Sequence, residues 1–145
     1  MRISIGKSQA CGDKYMEKKT GGEARNLFHI PGRLPEEELF EELLKTSAFR
    51  VERIVSTGQV SPPGFWYDQE EDEWAALLQG EAELEFEGGR TEKLQKGEWA
   101  FLPARARHRV VYTSADPPCI WLAVFGRVKT SPRASHGLKR EERSW

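Results

Sequence analysis

The sequence predicts a single all-β domain, a barrel or sandwich, with one short helix ahead of it. Three observations carry that expectation. From Phe49 to Gly126, short runs place apolar residues at every second position, the period of a strand with one buried face. Glycine and proline separate those runs, as at Pro62-Pro63-Gly64 and Gly88-Gly89. Ahead of them, PEEELFEELLKT sets Leu39, Phe40, Leu43 and Leu44 at helical spacing behind Pro35, with Glu36, Glu37 and Glu38 at the positive end.

In chain order, residues 1–25 are polar, rich in glycine and lysine and without period. They read as a disordered or loosely attached tail. The domain is expected over 26–126, with the flanking helix at 35–46. FRVERIVST alternates as a strand, and EWAALLQ is apolar on both faces. GEAELEFEGG is the cleanest element: Ala82, Leu84 and Phe86 point one way and Glu81, Glu83, Glu85 and Glu87 the other, before a Gly-Gly hairpin turn. RTEKLQKGEWAFLP, HRVVYTS and CIWLAVFG bring the total to six to eight strands. Residues 127–145 read as a flexible basic tail.

Composition narrows the function classes. At 145 residues and a net charge of −1, the chain has one domain's length and no global field for nucleic acid or an anionic membrane. The basic tail lacks interleaved aromatics and is interrupted by Glu141-Glu142, so no nucleic-acid partner is expected. No apolar run approaches the ~20 residues of a membrane span, and the start lacks the apolar core of a secretory signal. Cys11 and Cys119 form no disulfide framework. The expected location is the cytoplasm.

Two segments have spacing that points to chemistry. Glu73 is followed by six residues and Gly80; Gly97 is followed by five residues, Pro103, and then His108 five further on. Together they resemble the two motifs of the cupin superfamily, which implies a double-stranded β-helix, or jelly-roll, barrel over roughly residues 48–126. In that family two histidines precede the glutamate. Here, depending on register, those places hold Tyr67 and Gln69, or Trp66 and Asp68. Arg105 stands where the second motif has glycine, and Tyr112 where it has asparagine.

The resemblance implies an internal small-molecule site, a homodimer, and one divalent metal (Fe, Mn, Ni or Zn) held by Glu73 and His108 with Gln69 or Asp68. Such a site would support isomerase, dioxygenase or decarboxylase chemistry, with Glu73 and His108 as catalytic residues. The alternative is a metal-free binding or sensing module in which Tyr67, Gln69, Glu73 and His108 hydrogen-bond a polar ligand. A metal-free enzyme using Glu73 and His108 as a proton-transfer pair lies between the two.

Strand parity refines these candidates. His108, Val110 and Tyr112 are expected to face inward, with Arg107 and Arg109 outward against the glutamates of 81–87. Asp68 and Gln69 have opposite parity, so one of them at most faces in. Glu70, Glu71 and Asp72 are expected in water. Trp66, beside the Pro-Pro-Gly break, is the candidate for lining a pocket, and Arg105 for reaching its mouth. Tyr67, Trp66, Arg105 and Tyr112 form the expected substrate-binding set.

Overall fold

The computed structural model describes residues 24–128, so the two expected tails lie almost wholly outside the described residues. Eight strands follow in order: β1 (Leu39–Lys45), β2 (Phe49–Ser56), β3 (Asp72–Gln79), β4 (Ala82–Phe86), β5 (Thr91–Leu94), β6 (Trp99–Leu102), β7 (His108–Thr113) and β8 (Cys119–Gly126). They form two antiparallel sheets, one ordered β1-β2-β8-β3-β6 and one β5-β4-β7. Their inner faces enclose a core that includes Ile54, Leu77, Leu84, Leu102, Val110, Trp121 and Phe125. Burying each large side chain there contributes roughly 1.5–3 kcal/mol. Among the described residues no helix is long and apolar enough to cross a membrane.

The expected helix over 35–46 is not formed. Residues 39–45 are the edge strand β1, paired with β2 from Leu39↔Val55 to Lys45↔Arg50. The helical stripe fails physically. Glu41 is buried because it meets Arg53 across the pair, whereas Leu44, counted in the stripe, is 52% exposed. Pairing with the free edge of β2 supplies backbone hydrogen bonds and a buried partner row, and this tertiary gain outweighs local helix preference. Arg53 also donates to the Leu27 and His29 carbonyls (2.7 and 2.6 Å), tying the preceding segment to the outer face of the sheet.

Register across the larger sheet alternates large and small residues. Ile54, Trp121 and Leu77 align in one row, and Arg50, Phe125, Glu73 and Leu102 in another. Between them runs Glu52, Ala123, Ala75 and Ala100, three alanines flanked by bulky rows. A row without side chains beyond Cβ leaves the middle of that inner face low, opposite the β4–β7 sheet.

Gly80 shows why one position in the β3–β4 turn requires glycine. Its φ is +86°, and a Cβ there would lie 2.7 Å from Ser114 Oγ and 2.9 Å from Cys119 Sγ. Cys119 is buried and unoxidised, its thiol donating to the Glu81 carbonyl at 3.1 Å.

Candidate functional site

The interior site is built from the start of β7, the start of β3 and the connection between β2 and β3. His108 is 1% exposed and Glu73 fully buried. The His108 Nδ1 lies 2.8 Å from the Ala106 carbonyl, which can only accept, so Nδ1 carries the ring proton. The Nε2 lone pair is then left facing the interior, buried and without a protein partner. Burial holds the His108 pKa below the usual histidine value, with Glu73 acting in the opposite direction.

Glu73 reaches the same interior from the neighbouring sheet. One of its carboxylate oxygens accepts a hydrogen bond from the Gln69 amide at 2.8 Å. Tyr67, 5% exposed, pairs its backbone with His108 and stacks its ring on the imidazole, centroids 5.3 Å apart. Its hydroxyl is buried near Ser61 without a hydrogen-bond partner, while the Ser61 oxygen accepts from the Val110 amide. Burial first, then the charges of Glu38 and Glu73, push the Tyr67 pKa far above the usual phenol value, so it stays a donor.

Parity settles the choice between Asp68 and Gln69. Gln69 is the inward member. Asp68 is exposed and pairs with Arg105 at 3.2 Å, while Glu70 takes the other arm of that guanidinium at 3.0 Å. Arg105 is itself exposed and sits at the rim with φ +66°, the left-handed conformation that glycine would adopt without strain.

Two expected substrate-binding residues are not brought to the interior. Tyr112 is 48% exposed, because Glu83 pairs with Tyr112 and Leu84 with Val110, leaving Val111 as a bulge that reverses parity beyond it. Thr113 takes the inward place. Trp66 lies on the outer side, its ring under the guanidinium of Arg109 at 4.7 Å, and Phe65 packs on the core instead. Arg107 and Arg109 face outward and pair with Glu87 and Glu85, as the alternation predicts.

Glu38 joins the interior without having been singled out from sequence. It directly precedes β1 and accepts a hydrogen bond from the buried Ser56 hydroxyl at 2.6 Å, while its other oxygen is buried without a partner. Desolvation raises its pKa above the usual carboxylate value. Read as part of a helix, Glu38 belongs to an exposed acidic turn; read as the approach to a strand, it shares the inward face of Phe40. The signal was present, but only under the strand reading.

A divalent metal finds a poor donor set here. Among the described residues no group of three or more His, Cys, Asp and Glu side chains is placed to hold an ion. His108 and Glu73 offer one imidazole and one carboxylate. Asp68 has turned outward, Gln69 presents its amide N–H₂ to Glu73, and Tyr67 holds its proton. Two donors fall short of the three protein ligands that a catalytic transition-metal site ordinarily uses.

The family-level comparison is decisive. The family model for the cupin domain matches residues 52–125. The chain belongs to the cupin family. Many members of that family bind a divalent metal, so this cupin departs from a common pattern in its donors. Among solved structures it is similar to a protein from Ralstonia eutropha JMP134 named as a candidate mannose-6-phosphate isomerase. That likeness has 40% identity and a TM-score of 0.69, covering 73% of this chain and 99% of the other.

A cupin superfamily protein from Desulfitobacterium hafniense DCB-2 matches at 17% identity and TM-score 0.55, covering 68% of this chain and 84% of that one. KdgF from Halomonas sp. matches at 19% and 0.54, covering 70% and 90%. Both likenesses speak to the fold alone. No match arises among curated proteins. An open surface recess is lined by Ser47, Ala48, Glu70, Glu71 and Arg127 and carries none of the interior groups.

Proposed function

We propose that the interior of this cupin is a small-molecule site in which His108 and Glu73 move a proton, an isomerase-type activity that the protein's own side chains supply without a metal. One observation carries the reading: the His108 Nε2 lone pair is buried, unpartnered and under the influence of the Glu73 carboxylate. Proton transfer next to a carbonyl needs a base near neutrality, a counter-charge for its conjugate acid, and a donor for the developing oxyanion. His108 Nε2 would take the carbon-bound proton, Glu73 would stabilise the imidazolium, and the Tyr67 hydroxyl would donate to the enediolate oxygen. The Tyr67 phenol would pass its proton to that oxygen and take up the proton of the neighbouring hydroxyl, and His108 would return the abstracted proton to the adjacent carbon, giving the isomer with both residues restored. The 40%-identical relative named as a candidate isomerase supports this direction.

A second reading keeps the same residues and drops the chemistry. Tyr67 stacks over His108 and closes the interior, which also suits a binding or sensing module that holds a polar ligand. One experiment separates the two. The chelator-treated protein is incubated with D-mannose or D-fructose in D₂O, and exchange of the carbon-bound proton beside the carbonyl is followed by NMR. The enzyme reading expects exchange that survives EDTA and falls at least ~100-fold in His108→Gln. Binding without exchange leaves the sensing module; exchange that requires added Fe, Mn, Ni or Zn overturns the metal-free mechanism.

A further inference from the structure

We propose that Glu38 is a ligand-binding residue that joins Tyr67 and His108 in a site selective for uncharged hydroxyl-bearing molecules and closed to their phosphate esters. The inference rests on the reading of the interior as a small-molecule site and adds both a residue and a ligand class to it. Three atoms carry it: Glu38 Oε2, Tyr67 Oη and His108 Nε2 are all buried without partners in the protein. A buried polar atom without a partner is costly, so three in one barrel call for an occupant that satisfies them. Their chemistries complement one another. The phenol donates, the imidazole nitrogen accepts, and a carboxyl group paired through its other oxygen to Ser56 does either according to its proton. A hydroxyl group, donor and acceptor at once, matches such a set.

The same interior lacks what a phosphate needs. Among the described residues, three Lys or Arg side chains are not exposed: Arg50, Arg53 and Arg109. Arg50 is held by Glu52 and Glu71, its guanidinium over the Phe125 ring at 4.1 Å. Arg53 is on the outer face with Glu41 and two carbonyls, and Arg109 is outside with Glu85. A phosphate dianion would instead meet the buried Glu73 carboxylate. Like charges in a medium of reduced dielectric repel strongly, so the ester should be rejected while the parent sugar is accepted. Access would require the β2–β3 connection, joined to β7 through Ser61 and Tyr67, to move aside.

The test is a titration of the full chain with D-mannose, D-fructose and their 6-phosphates. Amide and His108 ring nitrogen shifts are followed by NMR on wild type, Glu38→Gln and Glu38→Ala. Expected are a shift of the His108 Nε2 signal with either free sugar, and binding of the 6-phosphates at least ~100-fold weaker, a factor of about 2.7 kcal/mol. Glu38→Gln should keep sugar binding within about threefold, whereas Glu38→Ala should weaken it about tenfold or more with the amide spectrum otherwise native. Equal or tighter binding of the phosphates overturns the selectivity and leaves the interior site standing. Unchanged sugar binding in Glu38→Ala removes Glu38 from the site. Absence of binding by all four probes overturns this inference together with the proposed site, and proton exchange on a sugar that leaves His108 unshifted places the chemistry elsewhere.

Discussion

Tyr67 and His108 are held face to face. Their rings lie 5.3 Å apart between centroids with planes inclined at 22°, and their backbones exchange hydrogen bonds of 2.8 and 3.3 Å. The contact fixes both rings while leaving the phenol oxygen and Nε2 without protein partners. Tyr67→Phe keeps the stack and removes a buried unsatisfied hydroxyl. Its expected stability is therefore equal to wild type or up to about 1 kcal/mol higher, while Tyr67→Ala costs about 3–5 kcal/mol. Urea unfolding of the two variants checks this; a loss above about 2 kcal/mol in the Phe variant would show that the hydroxyl has a stabilising partner.

His108 and Glu38 should tilt stability in opposite directions with pH. Burial lowers the folded-state pKa of His108, so below the ordinary value of 6.5 the unfolded chain binds more protons and stability falls as pH drops towards the folded value. Burial raises the folded-state pKa of Glu38, so above the ordinary value of 4.5 the folded chain binds more protons and stability falls as pH rises towards its folded value. Unfolding midpoints should decline less between pH 7 and 5 in His108→Gln than in wild type, and less from about pH 4.5 upward in Glu38→Gln. Parallel curves for wild type and both variants would rule out these assignments.

Arg105 combines a left-handed backbone with two exposed ion pairs. The backbone conformation costs a non-glycine residue about 1–2 kcal/mol, whereas exposed pairs contribute roughly 0–1 kcal/mol. Arg105→Gly should therefore be neutral or stabilising by up to about 1 kcal/mol, and Arg105→Ala, which keeps the strain and loses the pairs, mildly destabilising. Thermal melts in low and high salt separate the two contributions.

Gly80 and Gly97 have nearly the same φ, +86° and +88°, yet only Gly80 has close neighbours in the way of a Cβ. Gly97→Ala should cost about 1 kcal/mol from conformation alone, and Gly80→Ala at least about 2 kcal/mol because Ser114 and Cys119 must also shift. Equal losses in chemical denaturation would contradict the packing argument.

The outer face of the larger sheet carries exposed aromatic residues at its β6 edge. Trp99 and Phe101 on the edge strand β6 are 59% and 41% exposed, and Trp74 adjoins Trp99 with ring centroids 6.0 Å apart. An exposed aromatic edge favours association. A homodimer built here predicts that Trp99→Glu shifts sedimentation from dimer to monomer. A wild type that sediments as a monomer at about 100 µM, well above a micromolar Kd, would leave the face without that role.

Seven of the eight strands were legible in short apolar runs between Gly and Pro breaks, and along those that alternate a residue's inward or outward direction follows directly from the period of two. The outward pairing of Arg107 and Arg109 and the burial of His108 followed from it as well, while the buried Glu73 was marked by its spacing to Gly80 at the head of an apolar run. Where the period breaks, parity misleads: the bulge at Val111 turned Tyr112 outward, and a bulge leaves no reliable mark in a single sequence. The segment 39–45 fits both a helix and a strand by its residues alone. Its state was decided by the free edge of β2 and by Arg53, residues distant in the chain whose hydrogen bonds no local preference encodes.

The sequence by itself therefore determined the barrel, the inward Glu73 and His108, and the absence of the two histidines that would complete a metal site. Only the tertiary structure decided that Gln69 rather than Asp68 turns in, that Trp66 stacks outside, and that Glu38, just before β1, enters the interior. The reason is physical. Parity along one strand is a local property, whereas the company a buried polar atom keeps depends on which strands pair across the fold.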